Sequence, residues 1–132
     1  LREINAQRML IVPLHNLGDL YLRNGEPERA LEPFRECVRL ASLYGYEQSL
    51  HLNRGFLGYA LARTGDPQEG AALLSDAKTA LSRMADGHVS LQQCRLLDAE
   101  VSHMLGNSAK ARRELEEMLA DFHASKEVAL AH

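Results

Sequence analysis

Two pairs of side chains in the sequence have the spacing of metal ligands on a helix. Glu100 and His103 are three residues apart, the spacing found in carboxylate-bridged di-iron bundles. His15 and Asp19 are four residues apart, so on a helix their side chains lie on one face. Neither pair is joined by the further ligands that a closed metal site needs. We therefore interpret both as polar surface pairs and predict no metal and no cofactor.

Motifs of catalysis are absent from the sequence. It contains no glycine-rich phosphate-binding loop, no G-x-S-x-G, no H-E-x-x-H and no C-x-x-C. The six histidines are dispersed rather than clustered. Cys37 and Cys94 fall at helix-packing positions, where we interpret them as small apolar fillers. The sequence therefore predicts a protein that is not an enzyme.

The composition is that of an ordinary globular domain. Of 132 residues, 45% are hydrophobic and 25% are charged, which excludes wholesale disorder. Fifteen basic and eighteen acidic residues give a net charge of −3, and no apolar run is long enough to span a bilayer, so we predict neither nucleic acid nor membrane as a partner. Two cysteines suit a reducing compartment, which predicts a cytoplasmic protein. Because the chain begins without methionine, we expect residues 1–132 to be one domain of a longer protein.

One type of segment occurs three times, and its glycines Gly25, Gly65 and Gly106 are 40 and 41 residues apart. A glycine after a helical run adopts the left-handed backbone conformation that closes a helix. Each glycine is followed by a polar residue that can cap the next helix, and Asp66 and Asn107 are of the strongly capping types. Each segment is therefore predicted to be a tight turn between two helices.

Apolar residues spaced by three or four flank every turn and predict helices on both sides. The predicted helices cover residues 4–24, 27–44, 47–64, 67–85, 89–105 and 108–124. Gly45 and Gly87 are expected to end the second helix of the first and second pairs. Pro13 and Pro33 fall inside helices and each removes a backbone hydrogen bond. We expect a kink near Pro13, or a helix that begins there, and a bend near Pro33 on the convex side.

The repeated positions resemble the pattern of the tetratricopeptide repeat family. The first unit has a Leu-Gly pair, a tyrosine, the turn glycine, an alanine and an aromatic residue in the order of that family, whereas the third unit has Asp98 and Ala99 in place of Leu-Gly. The structural repeat positions are Leu17, Gly18, Tyr21, Gly25, Ala30, Phe34, Leu57, Gly58, Gly65, Leu74, Ala77, Ala99, Gly106, Ala111 and Leu115. The long period is similar to that of repeats attached to bacterial regulators and to motor-protein light chains.

The resemblance implies an all-α fold, a right-handed α-α superhelix (solenoid) of three helical hairpins. The units cover about residues 5–45, 46–86 and 87–124. Small residues such as Gly58 and Gly70 are expected where the two helices of a hairpin approach most closely. Phe34 and its equivalents Leu74 and Leu115 are expected to fill the space toward the next hairpin. A hairpin cannot bury both of its faces alone, so the units must stack.

In the resembled family, ligands dock on the first helix of each hairpin, along a concave groove. The equivalent positions here are His15, Asn16, Asp19, Leu22, Gly55, Tyr59, Ala62, Leu96, Glu100 and His103. Asp19 and Glu100 occupy positions where some family members carry the polar or basic residues that hold a C-terminal carboxylate. We therefore expect the groove to prefer a neutral or basic segment with apolar anchors.

These observations predict a protein–protein interaction module that binds a peptide or a partner protein in its groove. We interpret it as the sensory or scaffolding part of a larger bacterial regulatory protein that takes part in signal transduction. Two alternatives stay open: an effector domain for a small ligand or signal peptide, and a structural repeat that associates with copies of itself through its ends.

Overall fold

The computed structural model of the chain describes residues 2–131, with the side chains of residues 6–127. This part of the chain contains helices and turns and no strand. The helices are α1 (Arg2–Met9), α2 (Ile11–Arg23), α3 (Pro27–Tyr44), α4 (Glu47–Arg63), α5 (Pro67–Ser82), α6 (His88–Met104) and α7 (Ser108–Ala131). Successive helices pack against each other, and α4 also packs against α6. The hairpins α2–α3, α4–α5 and α6–α7 therefore stack in chain order, and the predicted all-α solenoid of helical hairpins is confirmed.

The glycine turns join the two helices of each hairpin as predicted. Gly25, Gly65 and Gly106 have φ angles of +74°, +105° and +82°, which is the left-handed region. In each turn the amide of the next residue donates to the carbonyl five residues earlier, at 2.8 to 2.9 Å. These bonds satisfy carbonyls at the end of the first helix, so each turn closes one helix and starts the next within three residues.

The helix caps differ in part from the prediction. The Asn107 side chain accepts a hydrogen bond from the backbone amide of Lys110 at 3.3 Å, as a cap should. Asp66, predicted as a strong cap, makes no such bond. Its ψ angle of 64° lies below the extended range that an N-cap residue usually adopts. Pro67, at the first helical position with φ fixed by its ring, begins α5 there.

A single first helix over residues 4–24 was a wrong prediction, because the chain breaks at Leu10. The cause is Pro13, whose ring clashes with the carbonyl four residues earlier, that of Met9, where α1 ends. Pro13 then lies in the first turn of α2, where the missing N–H costs little. Pro33, in contrast, lies inside α3, which runs without interruption, and its ring is buried.

The ends of the second helices also differ between hairpins. Gly45 ends α3 with φ +73°, as predicted. Gly87 does not end α5, which stops at Ser82; Gly87 precedes α6 with φ −88°. A side chain on Gly87 would collide with the carbonyl of Leu81, so this glycine serves a close backbone approach. The last helix extends past the predicted residue 124 to Ala131.

Small residues lie where the paired helices come closest, as predicted. A Cβ atom on Gly58 would stand 2.7 Å from the carbonyl oxygen of Gly70 across the second hairpin. In the first hairpin, a Cβ on Gly18 would lie 2.7 Å from the ring of Phe34. Ala30 on the facing helix is fully buried. The glycines therefore set the distance between helices within these hairpins.

The core runs through the stack between successive hairpins. Phe34 and Leu74, at equivalent positions, are fully buried, and the rings of Phe34 and Phe56 lie 5.5 Å apart across the first junction. A second, smaller cluster lies toward α1, around Ile11 and Cys37. Leu115, expected to fill the space toward a next hairpin, is 40% exposed because no described helix covers it.

Candidate functional site

Asp19, Tyr59 and Glu100 occupy the same position in the three first helices, 40 and 41 residues apart. The Tyr59 hydroxyl donates a hydrogen bond to the Glu100 carboxylate and so joins α4 to α6. Tyr59 is 8% exposed, whereas Glu100 is exposed. Two of the predicted binding residues are therefore brought into direct contact.

Two arginines extend this row by one helical turn. Arg63 donates from Nη1 to the backbone carbonyl of Leu22 at 3.0 Å, which joins α4 to α2. Its guanidinium carbon lies 5.7 Å from the centre of the Tyr59 ring. Arg23, 40 residues earlier, forms an ion pair with Asp19 at 2.9 Å.

We name Asp19, Arg23, Tyr59, Arg63 and Glu100 the first-helix strip. Sequence reasoning missed both arginines. Two signals in the sequence identify them: the 40-residue interval between them, and their position four residues after Asp19 and Tyr59.

The environment of Tyr59 keeps its hydroxyl protonated. Burial raises the pKa of Tyr59 to about 12, and the hydrogen bond to the neighbouring Glu100 carboxylate adds to this. The nearby Arg63 acts in the opposite direction but does not reverse the shift. The phenol is therefore a hydrogen-bond donor to Glu100 across the whole physiological pH range.

Three other predicted groove residues lie inside the packing rather than on the strip. Leu22 and Ala62, at one repeat position, are buried in the main core. A Cβ added to Gly70 would lie 3.0 Å from the Cβ of Ala62, so this position faces the second helix of its own hairpin. Gly55 faces the next hairpin, since a Cβ there would lie 2.5 Å from the Cys94 sulfur. These positions offer little surface to a ligand.

His15 also lies at a junction between hairpins. Its Nδ1 is 2.8 Å from the amide oxygen of the buried Asn53 on α4. Its ring packs edge-on against Phe34 and Phe56, with centroid distances of 5.6 and 4.6 Å. The neighbouring Asn16 is exposed.

Leu96 and His103 lie on the last hairpin, away from the first junction. His103 Nδ1 is 2.9 Å from the Ser108 hydroxyl. Leu96 is about half exposed and lines two open cavities between α6 and α7, of about 560 and 680 Å³. Leu115 and Leu119 line both cavities as well, so the exposed side of this hairpin is largely apolar.

The hairpin geometry agrees with the comparison to known families. The family model described as tetratricopeptide repeat matches three segments, residues 11–36, 54–75 and 92–117, which together make up more than half of the chain. The chain belongs to the tetratricopeptide repeat family. Comparisons with curated proteins and with solved structures found no significant match.

Membership of the tetratricopeptide repeat family gives the general role of the fold. Its repeats are in general protein–protein interaction modules and non-catalytic scaffolding. Among the side chains of residues 6–127, no three His, Cys, Asp or Glu residues come together as a metal site would require.

The third tetratricopeptide unit departs from the family pattern at Asp98, which is buried. Lys78 on α5 forms an ion pair with Asp98 at 2.5 Å and lies 3.9 Å from Glu114 on α7. Arg95 donates to Glu114 at 2.9 Å. A buried carboxylate is tolerated only when it is paired, and here the pairing also ties α5, α6 and α7 together.

Both thiols are part of the core. Burial raises the pKa of Cys37 and of Cys94 to about 12, so neither forms the reactive thiolate at neutral pH. The Cys37 thiol donates to the carbonyl of Ile11 at 3.4 Å. Their interpretation as small apolar fillers agrees with this burial. In the part of the chain that the structure describes, no helix combines the length and apolar character needed to cross a bilayer.

Proposed function

We propose that this chain is an interaction module that binds an extended segment of a peptide or partner protein along the first-helix strip. The observation that carries the proposal is the alignment of Asp19, Tyr59 and Glu100 at one position of three stacked helices. Packed helices lie about 8–10 Å apart and an extended chain rises about 3.3 Å per residue, so polar groups at one position of successive helices can meet about every third residue of an extended segment. The hydrogen bond from Tyr59 to Glu100 holds the two side chains in place before a ligand arrives.

The charges of the strip favour a neutral or basic segment. Arg23 is paired with Asp19, and Arg63 is bonded to a backbone carbonyl, so both cations already have partners. The exposed Glu100 carboxylate receives the phenol of Tyr59 and has further acceptor capacity for a lysine, an arginine or a backbone amide. An acidic segment would be repelled by this carboxylate, and Arg63, whose charge the Leu22 carbonyl does not cancel, is held at that carbonyl by its hydrogen bond.

We place the module within a larger bacterial regulatory protein, as its sensory or scaffolding part in signal transduction. The long repeat period supports this, because it is similar to that of repeats attached to such regulators. The two buried, unpaired thiols support a reducing cytoplasmic location.

A peptide-display selection tests the proposal. We expect libraries panned on the chain to enrich basic or neutral peptides with apolar side chains over acidic ones. Glu100→Gln should weaken binding of a selected basic peptide about fivefold to tenfold, because one charge-assisted hydrogen bond is lost. The matched control is Glu28→Gln, an exposed glutamate on α3 that lies outside the strip and lines neither cavity, which should leave the affinity unchanged. Equal enrichment of acidic and basic peptides would refute the proposal.

A small-ligand effector domain is the competing function, and the open cavities between α6 and α7 are of the volume that small molecules occupy. This alternative predicts that a metabolite raises the melting temperature and that Leu119→Asp removes the effect. A segment bound along the strip predicts sensitivity to Asp19→Asn instead, since Asp19 lines neither cavity whereas Glu100 lines one of them.

A further inference from the structure

The two ends of the stack expose positions that are buried inside it. Phe34 and Leu74 are fully buried where the next first helix covers them, but the equivalent Leu115 is 40% exposed. Leu81 is buried, and its equivalent Phe122 is 63% exposed. We define the trailing face as the five apolar residues that line the first of the two open cavities between α6 and α7. They are Leu96, Leu115, Met118, Leu119 and Phe122.

The other end shows the reciprocal pattern on α2. Ala60 and Val101 are fully buried, but Leu20, at the same repeat position, is 52% exposed. Asn53 and Cys94 are buried, and their equivalent Pro13 is exposed. We define the leading face as the residues of α2 at the positions that point toward a preceding hairpin. They are Pro13, Asn16, Leu17 and Leu20.

The contacts at the inner junctions specify how these two faces fit. At the first junction His15 meets Asn53, and at the second a Cβ on Gly55 would meet the sulfur of Cys94. Leu96 is the next member of the series formed by His15 and Gly55. At each inner junction this series contacts Asn53 or Cys94 of the following first helix. The equivalent residue of α2 is Pro13, so Leu96 is expected to contact Pro13 of a second copy.

A polar contact follows the same register. Arg63 of α4 donates to the Leu22 carbonyl of the preceding first helix. The arginine at the equivalent position of α2 is Arg23, and the carbonyl equivalent to that of Leu22 in α6 is that of His103. Arg23 of a second copy could therefore donate to the His103 carbonyl, as Arg63 donates to the Leu22 carbonyl at the first junction.

We propose that copies of this chain associate head to tail, with the leading face of one copy packed on the trailing face of the next. The occupant of the trailing face is α2 of a second copy, which repeats the junction already formed between successive hairpins. Because the two faces differ, each added copy presents a new free trailing face, and association continues as an open chain. Tyr59 belongs to neither face, whereas Glu100 borders the trailing face, because it lines one cavity with Leu96, Leu115 and Leu119. Leu20→Asp leaves every residue of the strip in place, so its effect on association separates this proposal from peptide binding.

Asn16 limits the strength of this association. It stands at the position of Phe56 and Leu97, which pack against the hairpin that precedes them. A polar amide facing Leu115 of another copy would lose part of its hydration on association. We expect Asn16→Leu to tighten the association about fivefold to tenfold, because it replaces that cost by apolar burial.

Sedimentation velocity of the full chain over a wide concentration range tests the proposal. The wild-type mass should rise with concentration beyond that of a dimer. Leu20→Asp and Leu119→Asp each remove one face and should each be monomeric. Mixed in equal amounts they should form a dimer and nothing larger, since each variant retains the face that the other has lost. Leu43→Asp is the matched control, because Leu43 is 62% exposed on α3 and belongs to neither face.

Two outcomes would overturn the proposal. A wild-type chain that stays monomeric at every concentration would mean that the trailing face receives a different partner. A dimer that persists in Leu20→Asp alone would mean that two trailing faces pair with each other. Circular dichroism checks that each variant is folded, which we expect because Leu20 and Leu119 are exposed.

Discussion

At the scale of single residues, the position of a side chain in the repeat decides what it does. Asp19 and Glu100 share one position and keep exposed side-chain surface, whereas Leu22, three residues after Asp19, is buried in the core. Tyr59 lies at the same position as Asp19 and Glu100, is 8% exposed and reaches Glu100 with its hydroxyl. Three residues along a helix turn the side-chain direction by 300°, which is about 60° in the opposite direction, and this difference separates a side chain of the strip from one in the core. The proposed binding surface is therefore a narrow line of residues.

The tyrosine of the strip should ionise only at strongly alkaline pH. Burial and the Glu100 carboxylate raise the pKa of Tyr59 from 10.0 to about 12. A raised pKa means that protonated Tyr59 contributes to the free energy of unfolding. That contribution is complete below pH 10, the pKa of the unfolded chain, and is lost as the pH rises through about 12. Phenolate absorbance measured immediately after a pH jump, before alkaline unfolding, should show one late step. Tyr59→Phe should remove that step, and a variant whose absorbance curve keeps it would contradict the expectation.

At the scale of helices, close approach depends on glycine at particular crossings. Gly58 faces Gly70 in the second hairpin, and a Cβ on Gly70 would overlap the carbonyl oxygen of Gly58. The first hairpin places Ala30 at the position of Gly70, and there the methyl group is fully buried. The second hairpin is therefore the one whose spacing excludes a side chain on both helices.

Gly70→Ala should destabilise the protein, although alanine is the better helix former by about 1 kcal/mol. The carbonyl of Gly58 is backbone and cannot turn aside, so we expect a loss of about 1–3 kcal/mol in the free energy of unfolding. Urea unfolding followed by circular dichroism measures it. The reciprocal control Ala30→Gly should also destabilise, through lost packing and helix propensity. A Gly70→Ala protein as stable as the wild type would show that the helices move apart freely.

Which helices form could be predicted from the sequence, because their signals are local. Glycine turns 40 and 41 residues apart gave the hairpins, and Pro13 marked the weak point of the first helix. The exact break at Leu10 follows from the carbonyl four residues before Pro13. The prediction that the Asp66 side chain caps α5 was wrong, because the backbone angles of Asp66 depend on the geometry of the whole turn.

The candidate site could be predicted only in part, because it depends on how each first helix is rotated against its neighbours. The sequence identified Tyr59 and Glu100 but not their hydrogen bond. It also assigned His15 to the groove, although its ring packs between hairpins against Phe34 and Phe56. Helical spacing alone cannot separate these directions, since residues three and four apart lie on one face. Arg63 was missed because its hydrogen-bond partner is the backbone carbonyl of Leu22, which the residue types in the sequence do not reveal.

At the scale of the whole molecule, the stability of each hairpin depends on its contacts with the neighbouring hairpins. In a solenoid each unit contacts only its neighbours, so the middle unit has two junctions and each end unit has one. Side chains of the middle hairpin, such as Tyr59, Ala60 and Leu74, belong to the main core. From Arg112 to Glu127, in contrast, most side chains of α7 are exposed.

Hydrogen exchange should therefore be slowest in the middle hairpin and fastest in the second half of α7. Amides of α4 and α5 exchange only when both junctions open, whereas α7 has exposed side chains from Asp121 to Glu127 and is held there mainly by its own helical bonds. Mass spectrometry of peptides from the exchanged chain measures this gradient. At low protein concentration, where copies do not associate, equal protection of α5 and α7 would contradict nearest-neighbour stability. At high concentration, added protection of α7 that Leu20→Asp abolishes would locate a second copy on its exposed side.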